Sequence, residues 1–163
     1  MKSSLAAICL TLAISMGNIS AAWSADFQKG LTAFLSGDYA TALREWKPLA
    51  EQGNASAQKN MGVLYNNGKG VPQDYKTAVK WYRLAAEQGN AHAQMQLGAK
   101  YALGQGVPKN YVRADMWYII AESKGDKDAT IDRNIVTKLM TPDQIAEAQK
   151  LARECVRKKY KDC

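Results

Sequence analysis

The feature that most constrains this chain is its self-similarity at an interval of 36 residues. Under that shift Asp38, Asp74 and Asn110 coincide, as do Tyr39, Tyr75 and Tyr111, then Ala42, Ala78 and Ala114, and Trp46 falls on Tyr82 and Tyr118. So do Gly53, Gly89 and Gly125, then Asn54, Asn90 and Asp126, then Ala57, Ala93 and Ala129. Gly62 meets Gly98, Tyr65 meets Tyr101, and Gly68, Gly70, Val71, Pro72 return as Gly104, Gly106, Val107, Pro108, all without a gap. A fixed period of this length marks a repeat architecture, in which each unit completes its core only against its neighbours.

Each unit divides into two predicted helices. The first covers residues 55–67 and again 91–103, where Ala57, Met61, Leu64 and Tyr65 and their counterparts recur at threes and fours. Asn54 and Asn90 precede these helices as caps whose side-chain oxygens accept otherwise unpaired backbone N–H groups. The second covers residues 75–88 and again 111–124, with Ala78, Trp81, Tyr82 and Ala85 on one face and Gly89 just beyond the end. Gly-x-Gly-Val-Pro joins the two, its proline barring helix continuation. Ala42, Ala57, Ala78, Ala93 and Ala114, with Gly62 and Gly98, allow close helix approach, and Trp and Tyr fill the spaces between.

The ends depart from the unit. Residues 26–36 followed by Gly37-Asp38-Tyr39 predict a helix, a tight turn and a second helix without the insert, and Pro48 predicts a kink in the latter. Thr141-Pro142-Asp143-Gln144 reads as a helix start: a Thr cap, Pro at the first helical position and Gln set for a capping box. The helix it begins, to about residue 160, carries Ile145, Ala148, Leu151, Ala152 and Cys155 on one face and charges on the other, as a capping helix would.

Residues 1–24 read as an export leader: Lys2, then an apolar run from Leu5 to Met16, then small residues at Ser20, Ala21, Ala22 and Ser24. Cleavage after Ala22 or after Ser24 is compatible, with a mature start near Ala25 preferred. Cys9 leaves with the leader, and no permanent membrane anchor remains. The expected location is therefore the bacterial periplasm or the exterior. Cys155 and Cys163 remain, either bridged or as two free thiols. A continuous helix would hold them about 12 Å apart, so a bridge needs the chain to turn back near Tyr160. With 163 residues, 47% of them hydrophobic, the remainder fits one domain, residues 25–163. Its units run approximately over residues 25–53, 54–89, 90–125 and 126–163, the last degenerate and closed by the capping helix. A formal charge of +7 favours acidic partners without naming one.

The blocks Asp74-Tyr75-x-x-Ala78-x-x-Trp81-Tyr82-x-x-Ala85-Ala86-x-x-Gly89 and Ala93-x-x-x-Leu97-Gly98-x-x-Tyr101-x-x-Gly104-x-Gly106-Val107-Pro108 resemble Sel1-like repeats, a subfamily of the tetratricopeptide repeats. The resemblance covers roughly residues 38–129, with a tetratricopeptide-like half-unit before it. It implies an all-α fold, a right-handed α/α solenoid of helix-turn-helix repeats, and a role as an exported scaffold or regulator that binds a protein. One branch of the family, secreted proteins with a disulfide in each unit, is linked to β-lactam binding and hydrolysis. That gives the alternative function, although this chain has no cysteine in any repeat.

The resemblance also implies that the first helix of each hairpin lines a concave face. In this register the lining residues are Ser56, Lys59, Val63, Asn66 and Asn67, then His92, Met95, Ala99 and Leu103. They suit an extended peptide or a helix held by shape and amide hydrogen bonds, or form an ordinary solvated face. Arg153, Arg157, Lys158, Lys159 and Lys161 form a basic stretch that fits an acidic protein or anionic lipid headgroups, or is a solvated helix face. No catalytic residue, metal site, cofactor or nucleic-acid partner is expected. His92 is the sole histidine and has no partner at metal-ligand spacing, and no nucleophile elbow or phosphate loop is present.

Overall fold

The computed structural model describes residues 26–163, and the expected leader with Cys9 lies outside the described residues. Those residues form eight α-helices: α1 Phe27–Leu35, α2 Tyr39–Glu51, α3 Ala55–Asn67, α4 Tyr75–Glu87, α5 Ala91–Leu103, α6 Tyr111–Glu122, α7 Lys127–Val136 and α8 Pro142–Arg157. A 3-10 turn, Thr137–Leu139, extends α7. From α1 to α7 each helix packs on the next in sequence, giving an all-α helical-repeat solenoid.

Local chemistry sets the boundaries. Asn54 and Asn90 accept from the backbone N–H of Ala57 and Ala93 at 2.9 and 3.0 Å, and Asp126 does the same for Ala129 at 3.0 Å. Gly68 and Gly104 end α3 and α5 in the left-handed conformation, at φ 64° and 71°. Thr141 and Gln144 form the full capping box at the start of α8. Helix α2 continues through Pro48 to Glu51, although the proline has no N–H to donate to the Arg44 carbonyl.

Packing repeats as faithfully as capping. A Cβ added to Gly62 or Gly98 would overlap the ring of Tyr82 or Tyr118, and one on Gly30 would overlap Trp46. The second helix of each hairpin thus lays a buried aromatic ring flat on a glycine of the first. The equivalence of Gly30 is hidden by the shorter α1–α2 turn, Ser36 to Asp38 against residues 68–74 in the next unit. Gln58 and Gln94, both buried, donate to the carbonyls of Ala50 and Ala86 at 3.0 and 3.1 Å and stitch each unit to the one before. The inserted loops do the same from outside. Gly70 lies against the backbone of Tyr39 and Gly106 against that of Tyr75, in each case leaving no room for a Cβ.

The last unit breaks the pattern. Helix α8 packs on α6 instead of returning along α7, burying Ala148, Ala152 and Cys155. It ends at Arg157, short of residue 160, because Lys159, Tyr160 and Asp162 take positive φ values and reverse the chain. Cys155 and Cys163 meet in a disulfide with Cα atoms 5.6 Å apart.

A candidate protein-binding face on the first helices

The residues expected on the concave face sit on α3 and α5. Ser56, Asn67 and Leu103 are exposed, and Lys59, Val63, Asn66, His92 and Ala99 are half-buried. Met95 is different: it is 5% exposed and belongs to the hydrophobic core, so it supports the face from below and does not line it. Its counterpart one period earlier is Lys59, whose ammonium must reach water while its stem packs. An uncharged Met has no such need and turns inward. Asn66 donates from Nδ2 to Asn67 Oδ1 at 2.8 Å, while its own buried Oδ1 has no donor within the protein.

Electrostatics tie these helices into one surface. Burial holds the His92 imidazole below its ordinary value and the charge of Lys59 adds to this, whereas Asp126 and Asp128 pull the other way. The neutral imidazole is therefore favoured more than in a free histidine. Burial likewise lowers Lys59.

The repeat register continues onto α7, which packs against α5 and where the sequence reading placed no site residue. One further shift of 36 carries His92, Met95, Ala99 and Leu103 onto Asp128, Ile131, Ile135 and Leu139. Ile131, Ile135 and Leu139 are 60%, 57% and 58% exposed, and Leu103 is 64% exposed. Extending the shift into the degenerate unit would have found them. Helix α7 is held from its other side by a polar cluster. Arg133 Nε donates to the fully buried Asp115 Oδ1 at 2.8 Å, and Arg133 Nη1 to Glu122 Oε2 at 2.9 Å. Thr130 donates to Glu122 Oε1 at 3.1 Å. Burial raises the Asp115 carboxyl above the usual aspartate range despite Arg133, and its Oδ2 has no donor.

Residues 55–90 and 91–126 each match the Sel1 repeat. The chain contains two Sel1 repeats. Its fold is similar to that of c5321, a protective antigen present in uropathogenic Escherichia coli strains that displays an SLR fold, with TM-score 0.75 and 32% identity over 80% of this chain. It is also similar to a Sel1 repeat protein from Oxalobacter formigenes, with TM-score 0.66 and 30% identity over 79% of this chain. The chain spans 30% and 55% of those two proteins. Helicobacter pylori cysteine rich protein B shares the fold at 23% identity and TM-score 0.51, over 63% of this chain and 88% of that one. No curated protein matches the sequence. The Sel1-repeat fold is in general a non-enzymatic protein-interaction scaffold.

Beyond the two Sel1 repeats the basic stretch divides between two roles. Arg153, Arg157, Lys158 and Lys159 are exposed, the first three on or just beyond α8. Lys161 pairs with Glu87 at 3.3 Å and joins the C-terminal hook to α4. Arg113 of α6 donates to the Cys163 carbonyl at 2.8 Å. Lys124 donates to the Gly89 carbonyl at 2.8 Å, with its ammonium 4.3 Å from the Tyr160 ring centre. The hook and α6 enclose a cleft of about 120 Å³ lined by Met116, Leu151 and Glu154 among others, well below the several hundred Å³ usual for small-molecule sites. Among the described residues no group of three or more His, Cys, Asp or Glu side chains is placed to hold a metal ion.

Proposed function

We propose that this protein is an exported scaffold or regulator that binds a peptide or helix of a partner protein on the face formed by α3, α5 and α7. The observation that carries the reading is the continuity of that face: its repeat positions on α3 and α5 recur on α7, which packs against α5, and leave Leu103, Ile131, Ile135 and Leu139 exposed. A surface crossing three successive units suits an elongated ligand, and so few units suit one short segment better than a partner wrapped along a long array. The leader-like residues 1–24 and the Cys155–Cys163 bridge both fit an oxidising compartment, the periplasm or the exterior.

The test is capture of partners by the mature protein in its native host after crosslinking, with Lys59→Glu plus Asn66→Ala as the comparison. The reading expects a partner retained by the wild type and lost by the double variant. Retention by both contradicts it. Amino-terminal sequencing of the protein in the periplasmic fraction tests export, with a start near Ala25 expected and an intact Met1 in the cytosol contradicting it.

A further inference from the structure

We infer that recognition is centred on α7 and its 3-10 extension, and that the occupant is a basic amphipathic helix of another protein, an inference that rests on the groove reading above. Ile131, Ile135 and Leu139 are spaced by fours and so form one ridge, about 12 Å from first to last. Leu103 adds a fourth exposed apolar side chain on α5, which contacts α7. Scattered exposed leucines are ordinary, but four large apolar side chains in repeat register on adjoining helices form a patch of the kind that marks interaction sites.

The ridge is not an inward face left bare by the end of the array. The inward positions of α7 are filled: Ala129 and Val136 are buried in the core, and Arg133 reaches Asp115 and Glu122 of α6. Ile135 and Leu139 fall instead on repeat positions that line the groove in the two preceding units, and Ile131 falls on that of Lys59, whose counterpart Met95 on α5 is buried. Helix α8, the element that follows in the chain, packs on α6.

The chemistry of the ridge selects the occupant. An extended peptide brings unpaired backbone N–H and C=O groups, and an aliphatic ridge offers them nothing. A helix satisfies its backbone internally and presents only side chains. Asp126, Asp128 and Asp132 stand at the amino-terminal end of the ridge, and none of them has an ion-pair partner among the described residues. Asp128 and Asp126 both push the Asp132 carboxyl upward after burial, a mutual repulsion that an incoming cation relieves. Lys127 lies among these three aspartates, so that end keeps a net charge of −2, whereas Lys138 adjoins Leu139 at the other end; the occupant's basic residues therefore point toward the Asp128 end, which orients it. A second copy of the chain is a poor candidate. Its basic amphipathic helix, α4, already buries Ala78, Val79, Tyr82, Ala85 and Ala86 within its own fold, and α8 buries Ala148, Ala152 and Cys155.

Selection from a displayed random library of peptides about 16 residues long, about 24 Å as a helix, tests the inference on the mature protein. The expected binders carry apolar residues at threes and fours and a net positive charge. Their affinity falls about tenfold or more in Ile135→Asp and severalfold in Asp128→Asn/Asp132→Asn. Both variants change exposed or half-exposed side chains, and unchanged circular dichroism and melting check that they fold. Binders that are acidic, or apolar at alternate residues, overturn the inference. Binders weakened by Lys59→Glu plus Asn66→Ala but not by Ile135→Asp overturn it while leaving the groove reading in place. No enrichment over a blank surface, or binders indifferent to both sets of variants, overturns both. Sedimentation that finds a dimer abolished by Ile135→Asp places a second copy on the ridge and contradicts the inference.

Discussion

The two Sel1 units and the terminal unit solve the same packing problem in different ways. In residues 55–126 the second helix of each hairpin returns along the first and lays Tyr82 or Tyr118 on Gly62 or Gly98. In the terminal unit α7 has no glycine, and α8, which has no aromatic residue, leaves it to pack on α6. Helix α7 is instead fastened by the Arg133, Asp115 and Glu122 cluster, and α8 by its apolar face and the disulfide hook. The difference teaches that repeat geometry is maintained by shape, while the end of the array is maintained by charge and a covalent link. It also leaves the groove-lining face of α7 apolar.

The largest effect should come from breaking the shape-based part. Tyr118→Ala removes a buried ring from the glycine face of α5 and is expected to cost about 3 to 5 kcal/mol in urea unfolding. A loss under about 1 kcal/mol would mean that the aromatic-on-glycine contact is not what sets the repeat. Next, Arg133→Ala strands Asp115 without its partner. The expected cost is about 2 to 3 kcal/mol, below the range for fully buried pairs because Arg133 itself is about one-quarter exposed. Gly98→Ala forces a methyl into the Tyr118 ring and should cost about 1 to 3 kcal/mol, whereas Ala to Gly at exposed Ala146 of α8 should cost only about 1 kcal/mol. Cys163→Ser opens a short loop and should cost about 2 kcal/mol or less, measured against wild type with and without reductant. Lys161→Ala, on an exposed pair, should change stability by less than about 0.5 kcal/mol.

The same two regions should respond to pH with opposite signs. Asp74, capping α4, has its carboxyl held below the ordinary value by Thr77, so its contribution is present above the unfolded value and lost as pH falls. Asp115 has its carboxyl raised, so the folded state holds a proton that the unfolded chain has already released. Stability from that group therefore declines as pH rises from the ordinary aspartate value through its raised folded value. Asp115→Asn should flatten that decline in melting temperature against pH, and Asp74→Asn should leave it in place. An unchanged slope in Asp115→Asn would contradict the assignment.

Much of the repeated part was legible because its causes are local. Asn54 and Asn90 as caps, Gly68 and Gly104 after α3 and α5, and the Thr141–Gln144 box each follow from chemistry within a few residues. The pairing of Gly30 with Trp46 was not legible to an ungapped shift, because the α1–α2 turn lacks the inserted loop and moves the register. The route of α8 was not legible either: its pattern of Ala148, Ala152 and Cys155 specifies a buried face but not which helix covers it. At the site, repeat register identified the half-buried Lys59, Val63 and Ala99, yet only packing reveals that Met95 turns inward. The α7 ridge escaped because Ile131, Ile135 and Leu139 have the spacing of a core stripe, and only packing reveals that Ala129, Arg133 and Val136 are the positions of α7 that face inward.

The claim that the first-helix face is where this protein meets its partner is tested most directly by site-specific photocrosslinking in the native host. A benzophenone side chain would be placed in turn at Val63, Ala99 and Ile135 on that face, and at Lys80 and Leu84 on the exposed side of α4. The account predicts one crosslinked species common to the first three positions and absent from the last two. Crosslinks of equal yield from Lys80 and Leu84, or none from Val63, Ala99 and Ile135, would contradict it.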